Sequence, residues 1–163
     1  SVCVCAGHVC MLSPPQRTPL ENINKPGSDS CILLEPPCGK TTTSSHPILL
    51  MGGSNFTVVF QKNLNHFNAS SPGYWSVSVT EKGSKEFKEL SRTLDSATPS
   101  LSLYTADITL PSPTAAKYMF MVLQTRYVTN NPNAPSVFYQ CSDIIVLAQG
   151  SNHLGTTQQT LED

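Results

Sequence analysis

The chain has 163 residues, enough for one domain with its own core, and its composition argues against several kinds of partner. Charged residues make up 13% of it, about half the usual share, and the formal net charge is −1 with no lysine or arginine cluster. Such a chain has little electrostatic attraction for phosphate backbones or anionic membranes, so we do not expect nucleic acid as a partner. No apolar run approaches the roughly 20 residues that span a bilayer.

Residues 1–7 have the composition of the end of a secretory signal peptide. An apolar run at residues 2–5 is followed by the small pair Ala6-Gly7, which suits a cleavage site. Cleavage after Gly7 makes His8 the first residue of the mature chain, whereas cleavage after Ala6 leaves Gly7 in front of it. We therefore expect a leader over residues 1–7, a domain over residues 8–149 and a flexible polar tail over residues 150–163.

Cysteines and glycosylation signals indicate an oxidising, extracellular compartment. If the leader removes Cys3 and Cys5, four of the six cysteines remain, and none of their spacings is the C-x-x-C of zinc sites. The triplets that begin at Asn55 and Asn68 both match the N-glycosylation signal. We expect a secreted glycoprotein.

The segment from residue 11 to residue 40 is rich in proline, asparagine and serine, which break helices and central strands. We expect a long irregular loop that disulfides pin to the domain. Three connectivities are possible for the four cysteines and the sequence does not decide among them, although we favour Cys10–Cys31 with Cys38–Cys141. In the chain-entropy model the second pair contributes about 4–5 kcal/mol and the first about 3 kcal/mol.

After Pro47 the sequence changes to short strand-like runs. Residues 74–80 give the clearest pattern, because Trp75, Val77 and Val79 share one face and polar residues share the other. Further strands are predicted at residues 48–51, at 55–61, as one or two strands within 101–110, at 118–125 and at 137–148. Short strands separated by turn signals favour an all-β fold, an antiparallel β-sandwich of the immunoglobulin-like or fibronectin-like kind.

Residues 84–94 carry the one helical pattern of the chain. Phe87, Leu90 and Leu94 recur at three- and four-residue spacing, and Ser84 stands where an N-cap would be. The segment is short, so the pattern predicts either a short helix or, equally, a loop.

A histidine at the start of the mature chain indicates a metal site. The α-amino and ring nitrogens of His8 can bind one ion, and a second imidazole completes a T-shaped set of three nitrogens that suits Cu(II). The candidates for the second imidazole are His46, His66 and His153. We favour His66 because it follows a predicted strand, where loops carry sites, and we expect the other two to be solvated. The alternative is that His66 is an ordinary loop histidine beside Asn68.

Five segments spread over most of the chain carry a resemblance to a known superfamily. They are HVC from His8, SPPQR from Ser13, PCG from Pro37, His66 before a Pro-Gly, and FYQCSDI from Phe138. In this order and spacing the chain resembles the histidine-brace copper proteins of the lytic polysaccharide monooxygenase-like superfamily. The resemblance implies copper at His8 and His66, and a disulfide between the cysteines of PCG and FYQC.

The superfamily includes chitin- and cellulose-active enzymes as well as fungal copper-acquisition proteins that are thought not to cleave polysaccharide. The enzymes place Phe or Tyr on the axial side of the copper, and Phe138 matches that pattern. The copper-acquisition relatives use an aspartate as third ligand, for which Asp143 is the nearest candidate. Because alternate residues of a strand face opposite sides, only one of the two can face the copper.

Three functions therefore compete. The first, which we favour, is a secreted protein that binds copper; the second is a copper-dependent polysaccharide monooxygenase of chitin or cellulose type; the third is a non-catalytic structural or adhesive extracellular module. A polysaccharide or an extracellular-matrix component is the expected further partner. Serine-hydrolase and zinc-hydrolase chemistry lack support, because the sequence contains neither Gly-x-Ser-x-Gly nor His-Glu-x-x-His.

Overall fold

A computed structural model describes residues 8–149, which form eight strands and one short 3-10 helix. The strands are β1 (His8–Ser13), β2 (Ile48–Met51), β3 (Asn55–Leu64), β4 (Tyr74–Glu81), β5 (Lys88–Leu94), β6 (Ser102–Thr109), β7 (Tyr118–Val128) and β8 (Val137–Leu147), and the helix covers Asp29–Cys31. The expected leader and the expected tail, which contains His153, lie outside the described residues. Within residues 8–149 no helix is long and apolar enough to cross a membrane.

The strands form two sheets that pack face to face. One sheet has the order β1-β3-β6 and the other the order β2-β8-β7-β4-β5. The all-β sandwich predicted from the sequence is confirmed. One pair departs from the purely antiparallel arrangement, because β2 runs parallel to β8, with Ile48 opposite Ile144. A long irregular segment leads into β2, so no hairpin turn imposes the antiparallel direction on this pair.

The core lies between the two sheets and is built by strand alternation. Trp75, Val77 and Val79 of β4 are buried, as their alternation predicts, and Val58 and Phe60 of β3 face them from the other sheet. The Trp75 ring lies 3.8 Å from the Tyr127 ring and 5.1 Å from the Phe60 ring, measured between centroids. Large rings packed in this way supply much of the apolar area that folding removes from water.

Both alternatives for residues 84–94, a short helix or a loop, are wrong for most of this segment, which forms the edge strand β5. Its backbone pairs with β4, with Thr93 opposite Trp75 and Arg92 opposite Ser76. A helix here would need a continuous apolar face to bury, whereas the Leu94 residue is 72% exposed. Sheet pairing therefore overrides the local helical spacing.

The segment predicted as one or two strands at residues 101–110 forms the single strand β6. Ala106 and Ile108 are buried in the core, whereas Leu103, which alternation directs to the other face, is 62% exposed.

The irregular N-terminal segment covers the outer face of β7 and β8. The structure contains the two favoured disulfides, Cys10–Cys31 and Cys38–Cys141. Between them the backbone N–H of Tyr139 donates to the carbonyl of Leu33 at 2.9 Å. The amide of Gln124 donates to the carbonyl of Pro37 at 2.8 Å. The long loop is thus fixed to the sheet, as the sequence predicts.

The two disulfides are expected to contribute unequally to stability. Their partners are separated by 103 residues for Cys38–Cys141 and by 21 for Cys10–Cys31. Replacing both members of the first pair by alanine should therefore lower the free energy of unfolding about 1.4 kcal/mol more than replacing both members of the second. Denaturant unfolding of the two double variants, without reductant, measures this difference. Equal losses, or a larger loss for Cys10–Cys31, would contradict the loop-closure explanation.

Candidate metal centre

Strand pairing brings His8 and His66 to the same end of the sandwich. His8 is the first residue of β1 and lies opposite Leu64, the last residue of β3. His66 follows Leu64 by two residues, in the loop that leaves the sheet at that point. Both histidines are buried, with exposures of 3% for His8 and 6% for His66.

Phe138 contacts both imidazoles. It is the second residue of β8, it is fully buried and it pairs with Tyr127 of β7. The ring centroid of Phe138 lies 6.4 Å from that of His8 and 6.2 Å from that of His66. The interplanar angles are 17° and 2°, so the three rings are nearly parallel. The structure therefore assembles His8, His66 and Phe138 at one place.

Asp143, the alternative third ligand, does not lie with these rings. Its carboxylate accepts hydrogen bonds from the Arg17 guanidinium at 2.7 and 2.9 Å and from the backbone N–H of Ser44 at 2.7 Å. Asp143 follows Phe138 by five residues on β8, so the two side chains face opposite sides of the sheet. Phe138 faces the core and Asp143 faces the N-terminal loop, which corrects the alternative assignment of this aspartate.

His46 also lies apart from the ring cluster. It is exposed, and its Nδ1 lies 2.8 Å from the Ser45 hydroxyl. Of the two glycosylation signals, Asn55 is exposed at the start of β3, whereas Asn68 lies two residues beyond His66.

Two hydrogen bonds from side chains that no sequence motif singles out hold the backbone around His66. The amide of Asn131 donates to the His66 carbonyl at 3.1 Å, and the side-chain oxygen of Asn65 accepts from the N–H of Phe67 at 3.0 Å. The Asn65 contact is an Asx turn, which an asparagine just after a strand could have indicated.

A buried ion pair lies next to this loop. Lys62 Nζ is 2.8 Å from Asp95 Oδ1, and both side chains are fully buried. The other carboxylate oxygen of Asp95 accepts a hydrogen bond from Tyr127. Burial raises the pKa of the Tyr127 hydroxyl most, and the hydrogen bond to Asp95 raises it further. The hydroxyl therefore stays protonated and donates to Asp95. Alternation along β3 places Lys62 on the same face as Phe60, but the predicted strand ended at residue 61 and missed it.

The donor atoms at this end fit a site of two imidazoles plus one further nitrogen. Imidazole suits copper, and the neighbouring Phe138 ring has no ligand atom. Within residues 8–149 no group of three or more His, Cys, Asp or Glu side chains could hold a metal. A site with three protein ligands at His8 and His66 therefore needs a third donor that is not a His, Cys, Asp or Glu side chain. The α-amino group of a chain beginning at His8 would be a nitrogen donor of the kind that copper binds.

Comparisons with known proteins identify the fold. No protein-family model matches the chain, and no curated protein matches it by sequence. Among solved structures, a lytic polysaccharide monooxygenase important for efficient utilization of chitin in Cellvibrio japonicus is similar at 12% identity and a TM-score of 0.50, over 84% of this chain and 98% of that one. A superoxide reductase (neelaredoxin) from Ignicoccus hospitalis is similar at 16% identity and a TM-score of 0.45, over 61% of this chain and 75% of that one. The chain thus has a lytic polysaccharide monooxygenase-like β-sandwich fold.

Asp143 is expected to matter for stability through its ion pair. The side chains of Arg17 and Asp143 are only 10% and 7% exposed, so Asp143→Ala leaves a guanidinium nearly buried without its carboxylate. We expect the free energy of unfolding to fall by about 3–5 kcal/mol. Asp107→Ala is the control, because Asp107 is exposed and accepts a hydrogen bond from Thr57. Denaturant unfolding that gives equal losses for the two variants would show that the ion pair has no special role.

Proposed function

We propose that this protein is secreted, is processed so that His8 becomes its first residue, and binds one Cu(II) ion. The α-amino group and the imidazole of His8 and the imidazole of His66 would hold the ion, and the Phe138 ring would lie beside them. The observation that carries the proposal is the cluster of three nearly parallel, buried rings at the end of the sandwich where β1 begins.

The position of His8 in the fold supports the use of its amino group. β1 is a hydrogen-bonded strand from its first residue, and the Cys10–Cys31 disulfide fixes it two residues later. An N-terminus held in this way loses little freedom when it binds an ion, because the sheet has already ordered it. An amine and two imidazoles also satisfy the preference of Cu(II) for nitrogen donors.

Phe138 would shape the site without binding the metal. Its ring is fully buried and apolar, so it excludes water and oxygen ligands from the side that it covers. A bound copper ion supplies one-electron redox chemistry at positions that the protein leaves open. The protein's part is to hold two imidazoles in fixed orientations, which the packing of both rings near Phe138 provides.

Secretion and N-glycosylation at Asn55 and Asn68 belong to the same proposal. The two disulfides fit an oxidising compartment, and Asn55 is exposed. The glycan on Asn68 would lie close to the site, since only Phe67 separates Asn68 from His66.

The copper proposal predicts that one histidine variant loses affinity and another does not. In a mature chain starting at His8, His66→Ala should raise the Kd for Cu(II) more than about a hundredfold, because changes in residues that merely support a ligand already cost about ten- to a hundredfold. The exposed His46 is the matched control, and His46→Ala should leave the Kd unchanged. Isothermal titration calorimetry measures all three proteins, and an unchanged Kd for His66→Ala would refute the site.

Low pH should weaken the binding of Cu(II) to the proposed site. The amine and both imidazoles bind copper only when deprotonated, so protons compete with the metal as the pH falls. We expect the affinity to decrease below about pH 6, where free imidazoles become protonated. Titrations between pH 5 and 8, in a buffer that does not bind copper, test this sign, and an affinity that is independent of pH would exclude imidazole ligands.

A second candidate function, copper-dependent oxidation of a polysaccharide, is favoured by one observation. Phe138 lies beside the histidines, whereas Asp143 pairs with Arg17. This is the pattern that the resemblance assigns to the enzymes and not to the copper-acquisition proteins. Because the ring offers no ligand, it leaves the coordination sphere more open than a carboxylate would.

The oxidative candidate predicts a defined product. Copper-loaded protein incubated with chitin or cellulose, a reductant and oxygen should release oligosaccharides that are heavier than the hydrolytic products by one oxygen or lighter by two hydrogens. Mass spectrometry detects them, and His66→Ala loaded with the same copper is the control. Tight copper binding without such products would leave copper binding as the function, and the absence of both would favour a structural or adhesive module.

A further inference from the structure

The ammonium group of Lys62 is buried but fully hydrogen-bonded. Its nitrogen lies 3.1 Å from Asn65 Oδ1, 2.8 Å from Asp95 Oδ1 and 2.7 Å from the carbonyl of Ser96. An ammonium has three N–H donors, so each contact accounts for one of them. Lys62 thereby connects the end of β3 to the segment that follows β5.

Asp95 extends this connection to β7. Its Oδ1 accepts from Lys62 and from the backbone N–H of Ser96, while its Oδ2 accepts from the Tyr127 hydroxyl. Its own N–H donates to the carbonyl of Gly73 at 3.0 Å. Lys62, Asp95 and Tyr127, which we call the Lys62 network, therefore form one continuous chain of charge-assisted hydrogen bonds.

The Lys62 network reaches the loop of His66 through Asn65 and the ring of Phe138 through Tyr127. At one end Asn65 Oδ1 accepts from Lys62 and also from the N–H of Phe67, which closes an Asx turn around His66. At the other end lies Tyr127, whose hydroxyl donates to Asp95. The Tyr127 ring also lies 6.3 Å from that of Phe138, the residue that contacts both imidazoles.

A gain in stability alone does not explain why the ion pair of Lys62 and Asp95 is buried. Removing a lysine and a carboxylate from water costs several kcal/mol per ion, and apolar replacements of a buried ion pair are often neutral or stabilising. A buried, fully satisfied polar network can instead fix one geometry. Here the fixed geometry is that of the loop carrying His66.

We propose that Lys62, Asp95 and Tyr127, with Asn65, are positioning residues that hold His66 in the orientation needed to share a copper ion with His8. This inference rests on the copper site proposed above. Its geometric part concerns the loop alone and can be measured without metal.

Asn65 is the best residue for the test, because it is exposed and its side chain joins Lys62 to the turn. Asn65→Ala should raise the Kd for Cu(II) about tenfold and shift the copper EPR spectrum, as changes to outer-sphere groups do. In the metal-free protein it should speed amide exchange of Phe67 about tenfold, because the acceptor of that N–H is lost. Asn65→Asp keeps an acceptor oxygen for both Lys62 and Phe67 and should restore all three readouts.

Ser84→Ala is the matched control, since it removes one comparable turn hydrogen bond, from the N–H of Glu86 at 3.1 Å, at the opposite end of the sandwich. It should leave the affinity, the spectrum and the Phe67 exchange unchanged. Tyr127→Phe is a second variant and should change the three readouts in the same direction as Asn65→Ala.

The outcomes separate the two proposals. If the parent chain binds no copper but Phe67 exchange responds as described, the copper site fails and the positioning of the loop stands. If the parent binds copper and neither Asn65→Ala nor Tyr127→Phe alters the affinity, the spectrum or the exchange, the positioning role is overturned. Loss of stability with an unaltered copper spectrum would also overturn it, because it would assign the Lys62 network a purely structural role.

Discussion

The pairing of β1 with β3 is the constraint on which the candidate site depends. In this antiparallel ladder His8 lies opposite Leu64, so the beginning of one strand and the end of the other meet at the same edge. The hydrogen bonds of that ladder, together with the Cys10–Cys31 disulfide, fix the position of His8. A loop histidine two residues beyond Leu64 is then close enough to share a neighbour, Phe138, with His8. His8, the first residue that the structure describes, thus becomes part of a fixed cluster with His66 and Phe138.

The opposite sheet contributes through the same alternation that builds the core. Even-numbered residues of β8 face inward, and Phe138 is the one nearest the end where the histidines lie. Odd-numbered residues face the N-terminal segment, which is why Cys141 forms its disulfide there and Asp143 meets Arg17. Strand geometry therefore places Phe138, and not Asp143, beside the two histidines. The same strand therefore carries both Cys141, which fixes the N-terminal segment, and Phe138, which lies in the candidate site.

The sequence predicted most of the fold because its signals are periodic. The alternation of Trp75, Val77 and Val79 can be read without knowing which distant residues they contact. The pairing of His8 with His66 came instead from the order of the motifs that carry the resemblance. The wrong predictions concern features that depend on pairing between segments far apart in the sequence. Residues 84–94 have helical spacing, but their backbone pairs with β4, and no local pattern encodes that partner. The parallel direction of β2 likewise depends on where the long N-terminal segment leads the chain.

The Lys62 network escaped prediction for a related physical reason. A lysine in a polar run is ordinarily solvated, and only its partners Asp95 and Tyr127, each more than thirty residues away in sequence, make its burial tolerable. Asn65 and Asn131 are ordinary loop residues until the fold brings them to His66. Sequence patterns thus pointed to His8, His66 and Phe138, whereas the polar contacts around His66 became visible only in three dimensions.

The most direct test of the account is to compare two chains that both start at His8 and differ only by acetylation of the α-amino group. Acetylation removes the basic nitrogen and leaves both imidazoles and Phe138 in place. We expect titration calorimetry to give one tight Cu(II) site in the unmodified chain and a Kd more than about a hundredfold higher in the acetylated chain, because the loss of a direct ligand exceeds the effect of altering an outer-sphere group. Equal affinities would contradict the central claim that the amino group of His8 and the imidazoles of His8 and His66 together bind copper.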